Sequence, residues 1–245
     1  MSRIDEVRSY YEQFDWRYRG DYWATRWGSS EMQWYCSILP RIAAFLPAAT
    51  VLEIGAGPGR LSAFLLQQAE RLILTDLVEP CVSRCTERFR DYPQVSCHLT
   101  DGQSLPPIEP ASVSFVFSFY SLVHADPETI SAYLRHIARV LAPDGIAFLH
   151  HSNAGSFDPQ DKAALRTFND RDTAARDVVA FAREAGLWVR SQELFSWEGD
   201  AYLTDCFSVI LNPNGPGHTR PITVNNWEFG QEAERAKIFA EIYEM

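Results

Sequence analysis

One stretch constrains the chain more than any other: Val51-Leu52-Glu53-Ile54-Gly55-Ala56-Gly57-Pro58-Gly59-Arg60. Val51, Leu52 and Ile54 supply the apolar side chains of a short buried strand, which runs into a glycine-rich turn. An apolar helix follows over 61–66. A backbone without Cβ atoms turns sharply and approaches a ligand closely. The helix start then offers unpaired N–H groups. Strand, glycine turn and helix in that order predict a nucleotide-like ligand at the end of a strand. The glycines fall at 55, 57 and 59, not in the G-x-G-x-x-G spacing of the dinucleotide fingerprint. A nicotinamide dehydrogenase is therefore the weaker reading.

The flanking chain alternates strands and helices. Arg71 to Asp76 reads as a second strand ending in an acid. Asp76 lies about 20 residues past the turn, where a ribose-binding carboxylate belongs in a βαβ unit. A helix over Val82 to Phe89 leads to a third strand, Gln94 to Leu99, which ends at Thr100-Asp101-Gly102-Gln103. Residues 112–119 are almost continuously apolar, as the middle strand of a parallel sheet requires, and Tyr120-Ser121-Leu122-Val123-His124 follows. Pro127 opens a helix through Leu141, which Pro143-Asp144-Gly145 ends. Ile146 to His151 is a fifth strand. After a polar loop over 152–172, with Pro159 and Asn169, come a helix (Thr173 to Ala185) and two strands, 187–195 and 202–211. A break over 212–217 then precedes a last amphipathic helix, Glu228 to Tyr243.

The Glu-x-Gly-x-Gly-x-Gly junction, the acid at Asp76, the apolar fourth strand, the Leu-Val-His segment and the Leu-x-Pro-x-Gly turn at 141–145 stand in a telling order and spacing. Over about residues 50–151 they resemble the class I S-adenosylmethionine (SAM)-dependent methyltransferases. The resemblance implies an α/β fold: a Rossmann-like doubly wound seven-stranded sheet, mostly parallel with an antiparallel last strand. An N-terminal aromatic-rich helical cap is added to it. It implies SAM as cofactor, with Glu53, Gly55, Ala56, Gly57, Gly59, Asp76, Leu77, Asp101, Gly102 and Phe119 as the cofactor-binding set. In that set Asp76 takes the ribose hydroxyls. Asp101 takes the adenine amino group, with the Gly102 amide beside it.

Methyl transfer needs a positioned nucleophile, and an alcohol also needs a base to take its proton. His124 follows strand four. His150 and His151 end strand five, with side chains on opposite sides. Asp205 opens the last strand, which begins at the same sheet edge if it runs antiparallel. The expected catalytic group is a His124 or His151 base supported by Asp205; His124 covering the cofactor is the competing role. His150 and His98 are read as structural. A His/His/Asp metal site for a diol was weighed and not adopted. The function expected is methylation of a hydroxyl on a small molecule, a sugar or natural product. Methylation of a small amine and a non-catalytic SAM-binding protein are the alternatives.

Composition sets outer limits. The chain has 245 residues, 46% apolar and 22% charged, with a net charge of −10. That balance argues against nucleic acid as partner. No apolar run is long enough to cross a membrane, and the N-terminus is too polar for a signal peptide, so a cytoplasmic location is the default. Cys36, Cys81, Cys85, Cys97 and Cys206 are too scattered for a disulfide framework and are expected as free thiols. The aromatic residues of the first 50 positions are expected either to pack on the sheet or to form a lid over the acceptor. The organisation expected is one methyltransferase domain over 1–245: a cap or lid at 1–48, the SAM-binding core at 49–211, and a loop and helix at 212–245. A small-molecule acceptor is the partner expected, and a homodimer is left open.

Overall fold

The computed structural model describes residues 2–16, 20–158, 160–161, 170, 172–197, 202–212 and 221–243. Tyr18, most of the expected loop after residue 158 and the expected break over 213–217 lie outside the described residues. At the centre is one eight-stranded sheet in the order β3-β2-β1-β4-β5-β7-β6-β8. Its strands are β1 Ala48–Ile54, β2 Ala69–Asp76, β3 Val95–Leu99, β4 Val113–Ser118, β5 Leu141–Ser152, β6 Trp188–Phe195, β7 Asp205–Leu211 and β8 Ile222–Asn226. Strands β1 to β5 pair in parallel. β7 is antiparallel to both β5 and β6.

Two expectations are corrected here. The sheet has eight strands, not seven, and the last strand is not the antiparallel one. β8 adds in parallel outside β6. Its side chains are mostly exposed, so no alternation of buried apolar residues betrays it. The last long strand starts at Asp205, not at 202.

Both faces of the sheet are covered, which explains the near-continuous apolar run of β4. Phe115 and Phe117 point to one face, with Trp27, Trp34, Phe148, Phe207 and Phe229. Val113 and Val116 point to the other, with Leu52, Leu134, Ile137 and Ile210. Each fully buried side chain of this size contributes about 1.5–3 kcal/mol.

Helix α1 (Arg3–Glu12) starts at a capping box in which Ser2 and Asp5 satisfy each other's backbone N–H groups. The helix over Ser30–Ile42 is irregular, and we label it α2: α-helical at Ser30–Gln33 and Leu39–Ile42, with a wider π turn at Trp34–Ile38 between them. Pro40 has no N–H to return to the preceding turn, and the widened turn just ahead of it accommodates the gap. The other helices are α3 (Ser62–Leu65), α4 (Glu79–Arg88), α5 (Pro127–Val140), α6 (Ala175–Glu184) and α7 (Phe229–Tyr243). Arg41 of α2 fastens the far side, pairing with Glu193 of β6 at 2.6 Å and Glu232 of α7 at 2.8 Å. No helix of the described residues is long and apolar enough to cross a membrane. All five cysteines are free.

Candidate active site

β1 lies between β2 and β4, so the chain departs in opposite directions from neighbouring strands. The crevice beyond their carboxyl ends is where an open α/β sheet binds ligands. A single cleft occupies it. Its floor is Glu53 to Pro58 after β1, Asp76 to Val78 after β2, Thr100 and Gly102 after β3, and Phe119 to Leu122 after β4. Thr129 and Tyr133 of α5 line one side. The roof comes from the N-terminal segment: Ile4, Val7 and Tyr11 from one face of α1, then Trp16 and Trp23.

The glycine turn is built tightly. Gly55 and Ala56 give their N–H groups to the Thr75 carbonyl at 2.8 and 3.0 Å. Gly57 N–H donates to Asp76 Oδ2 at 2.8 Å, and Val78 N–H to Oδ1 at 2.9 Å. Cys85 Sγ reaches the Gly57 carbonyl from behind at 3.1 Å. Burial pushes the Asp76 carboxyl up to about 6 against these backbone donors.

Glu53 is 3% exposed and accepts from the Ser62 hydroxyl. Burial pushes it up to about 8, opposed by Ser62 and by Arg60. A carboxyl raised in the folded state contributes stability that is complete below its ordinary 4.5 and is lost as pH rises through about 8. Gln at this position keeps an acceptor for Ser62 and never ionises. The melting temperature of Glu53→Gln relative to the native chain is therefore expected to rise as pH goes from 4.5 to beyond 8. A difference that does not change with pH would contradict the assignment.

Of the expected cofactor set, Glu53, Gly55, Ala56, Gly57, Asp76, Leu77, Gly102 and Phe119 line the cleft. Gly59 and Asp101 do not. Gly59 packs behind the turn, where an added Cβ would lie 2.6 Å from the Phe89 ring. Asp101 is exposed and spends Oδ1 on its own loop, accepting from Gln103 N–H, Ser104 N–H and Ser104 Oγ at 2.9, 2.7 and 2.9 Å. It caps a turn, and Gly102 forms the wall there.

The expected catalytic residues separate. His124 lines the cleft, with Nε2 2.8 Å from the hydroxyl of Tyr11. His151 does not. It is 1% exposed, with Nδ1 2.8 Å from the Ser152 carbonyl and Nε2 2.8 Å from Ser208 Oγ. Burial holds it down at about 4, hence neutral. Asp205 meets His150, at 3.1 Å, not His151. Strand parity is the reason. His150 lies opposite Phe207, and His151 opposite Cys206. Asp205 shares a face with Phe207, two residues on, so it lies diagonally across from His150.

Several functional candidates escaped the sequence. Tyr11 was visible only as one aromatic among many, and Tyr120 only as the residue preceding Leu-Val-His. Burial holds the Tyr11 phenol well above its usual value, so its hydroxyl keeps its proton at neutral pH beside His124 Nε2. The N-terminal aromatics divide: Tyr11, Trp16 and Trp23 line the cleft, while Trp27 and Trp34 sit in the core.

Residues 51–145 match the methyltransferase domain family. The match spans less than half of the chain, and it makes this stretch similar to methyltransferase domains. Phosphoethanolamine N-methyltransferase 1 of Triticum aestivum is 31% identical over 118 residues, which is 46% of this chain and 24% of that protein. The chain thus spans about a quarter of that relative's length. Magnesium protoporphyrin IX methyltransferase (ChlM) from Synechocystis PCC 6803, with bound SAH (S-adenosylhomocysteine), has a TM-score of 0.61 at 17% identity, over 86% of this chain and 100% of that one. The [4+2]-cyclase SpnF has a TM-score of 0.59 at 16% identity, over 74% and 82%. These two structural likenesses are of fold, and one of them is to a cyclase.

The cleft fits SAM on its own chemistry. Asp76 accepts from the backbone N–H groups of Gly57 and Val78, and the carboxylate keeps acceptor capacity for a ribose hydroxyl. Thr129 Oγ1 is buried without a partner among the described residues and lines the same cleft as Leu77, Gly102 and Tyr133. Arg60 is 8% exposed and gives Nη1 to the neutral groups of Gln33, at 2.6 Å, and Ser30, at 3.4 Å. Among the described residues no carboxylate lies in ion-pair contact with it, though Asp21, Glu53 and Glu31 act on it at longer range, and a buried cation so placed can also face a ligand carboxylate. Glu53, Asp76, Arg60 and Thr129 are thus the residues that would hold the group.

Proposed function

We propose that this chain methylates a small amine, using SAM as donor and the Tyr11–His124 pair to remove the acceptor's proton. The observation that carries the reading is the 2.8 Å contact between Tyr11 Oη and His124 Nε2 inside the cleft, beside the cradle of Gly55 to Gly57. When bound, SAM supplies a methyl group already activated on a sulfonium. The chain's own task is to position the acceptor, keep water out and move one proton.

An amine arrives largely as the ammonium at neutral pH, so it must lose a proton before it has a lone pair to offer. Tyr11 Oη accepts that proton while giving its own to His124 Nε2, which ends as the imidazolium. Burial disfavours a free tyrosinate, so the two transfers are coupled. The walls around the pair are aromatic faces, Tyr11, Trp16, Trp23 and Tyr120, which attract cations and so favour an ammonium acceptor. The N-methyltransferase likeness over 118 residues supports the same choice. A hydroxyl acceptor is the second reading, favoured by the same pair, because an alcohol needs a base.

Calorimetry with S-adenosylhomocysteine and NAD, followed by transfer of labelled methyl from SAM to matched amine and alcohol acceptors, tests the proposal. SAH binding with label in amines is the expected result. Label in alcohols alone selects the second reading. SAH binding with no turnover on any acceptor points to a non-catalytic binder, and NAD binding without SAH binding overturns the proposal.

A further inference from the structure

His150 is fully buried and does not line the cleft, yet both its ring nitrogens are committed. Nδ1 accepts from the backbone N–H of Tyr120 at 3.2 Å, and Nε2 lies 3.1 Å from Asp205 Oδ1. A ring nitrogen that accepts carries no proton, so the imidazole is the neutral Nε2–H tautomer and Asp205 receives its proton. Asp205 is fixed in turn: Oδ2 accepts from Thr204 Oγ1 at 2.8 Å and from the Trp197 N–H at 3.4 Å. Phe207 and Phe119 clamp the ring itself, with centroids 4.8 and 5.3 Å away.

The other end of this chain of contacts is unusual. Tyr120 has φ +54°, a left-handed conformation that side chains disfavour and that persists only where neighbours enforce it. Its ring lies 4.4 Å from that of Trp197 and lines the cleft. The next residue, Ser121, abuts the glycine turn so closely that a Cβ on Gly55 would fall 1.8 Å from Ser121 Oγ. The corner at 120–121 therefore bounds the cradle from the β4 side.

We propose that His150, oriented by Asp205, is a positioning residue that holds the Tyr120–Ser121 corner against Gly55 and so shapes the cofactor cradle from behind. Losing the acceptor at Nδ1 frees the Tyr120 N–H, and the backbone relaxes out of its strained conformation. Ser121 then moves with it. His150 touches no reacting atom and moves no proton in this role. The proposal rests on the reading that the cleft binds SAM.

Two substitutions separate the two ends of the imidazole. In His150→Asn, the amide oxygen sits where Nδ1 was and can accept from Tyr120. In His150→Gln, the amide reaches towards Asp205 and leaves Tyr120 without an acceptor. SAH titration by calorimetry is expected to show about tenfold weaker binding for His150→Gln, the equivalent of one hydrogen bond at the upper end of its usual worth, and about threefold or less for His150→Asn. Equal affinities for the two folded variants overturn the proposal. If the native chain binds no SAH, the functional reading fails instead. Nitrogen-15 histidine spectra of the native chain test these contacts without ligand or variant. An unprotonated, pyridine-like Nδ1 at His150 is expected, and a protonated, pyrrole-like Nδ1 there overturns the proposal.

Discussion

Replacing His124 by alanine is expected to slow methyl transfer by about 10²–10⁴-fold, the usual worth of a positioned general base, with SAH affinity little changed. The reasoning runs through Tyr11. Its hydroxyl is 2.8 Å from His124 Nε2, and its phenol is held protonated by burial. It can accept the acceptor's proton only by passing its own to the imidazole. Tyr11→Phe keeps the ring that roofs the cleft and removes the relay atom, so a loss of the same order is expected. Because the pair works as a unit, the double variant should be no slower than the worse single one. Single-turnover rates at saturating SAM, with SAH affinity as the control, measure this. Full rate in His124→Ala would show that the proton leaves by another route.

Gly55→Ala is expected to cost cofactor binding and stability together. Gly55 has φ +74°, and an added Cβ would lie 1.8 Å from Ser121 Oγ and 2.3 Å from its Cβ. The left-handed backbone costs a side chain about 1–2 kcal/mol, and forcing a methyl into packed space costs about 1–3 kcal/mol more. A combined loss of about 2–5 kcal/mol is roughly 30-fold to several thousand-fold in SAH affinity if it falls on the cradle. Gly186→Ala is the matched control: φ is +78°, nothing lies within 4 Å of the added atom, and the site is remote from the cleft. It should cost about 1–2 kcal/mol of stability and leave SAH affinity unchanged. Equal SAH affinities for the two variants would show that the Ser121 contact does not matter.

The β1 and β2 side of the cleft was legible because it is written locally. Val51 to Gly57 and Asp76 each carry strand, turn and ligand group within a few residues, and β4 announces its central place by burying both faces. The side under the N-terminal helix was not. Tyr11 reaches His124 from 113 positions away, and no spacing rule connects a helix at the chain start to a turn after β4. The choice between His150 and His151 was one of parity. Only the register of β5 on β7 puts Asp205 on the His150 face. Asp101 stands outside the cleft lining for a different reason: Asp before Gly serves equally as a ligand group or as the cap of its own turn, and its Oδ1 is the cap. β8 pairs without burying a face, so hydrophobic pattern carries no trace of it.

Helix α1 has no buried residue, and ten residues are too few for a helix to hold itself together in water. It is kept in place by docking, through Arg3 Nε on the His124 carbonyl at 3.1 Å, Arg8 Nη2 on the Asp101 carbonyl at 3.2 Å, and Tyr11 on His124. The roof of the cleft therefore carries half of the proposed proton relay. Were the helix to lift, Tyr11 would leave His124 and the proposed base would come apart, so on this reading deprotonation requires the docked helix.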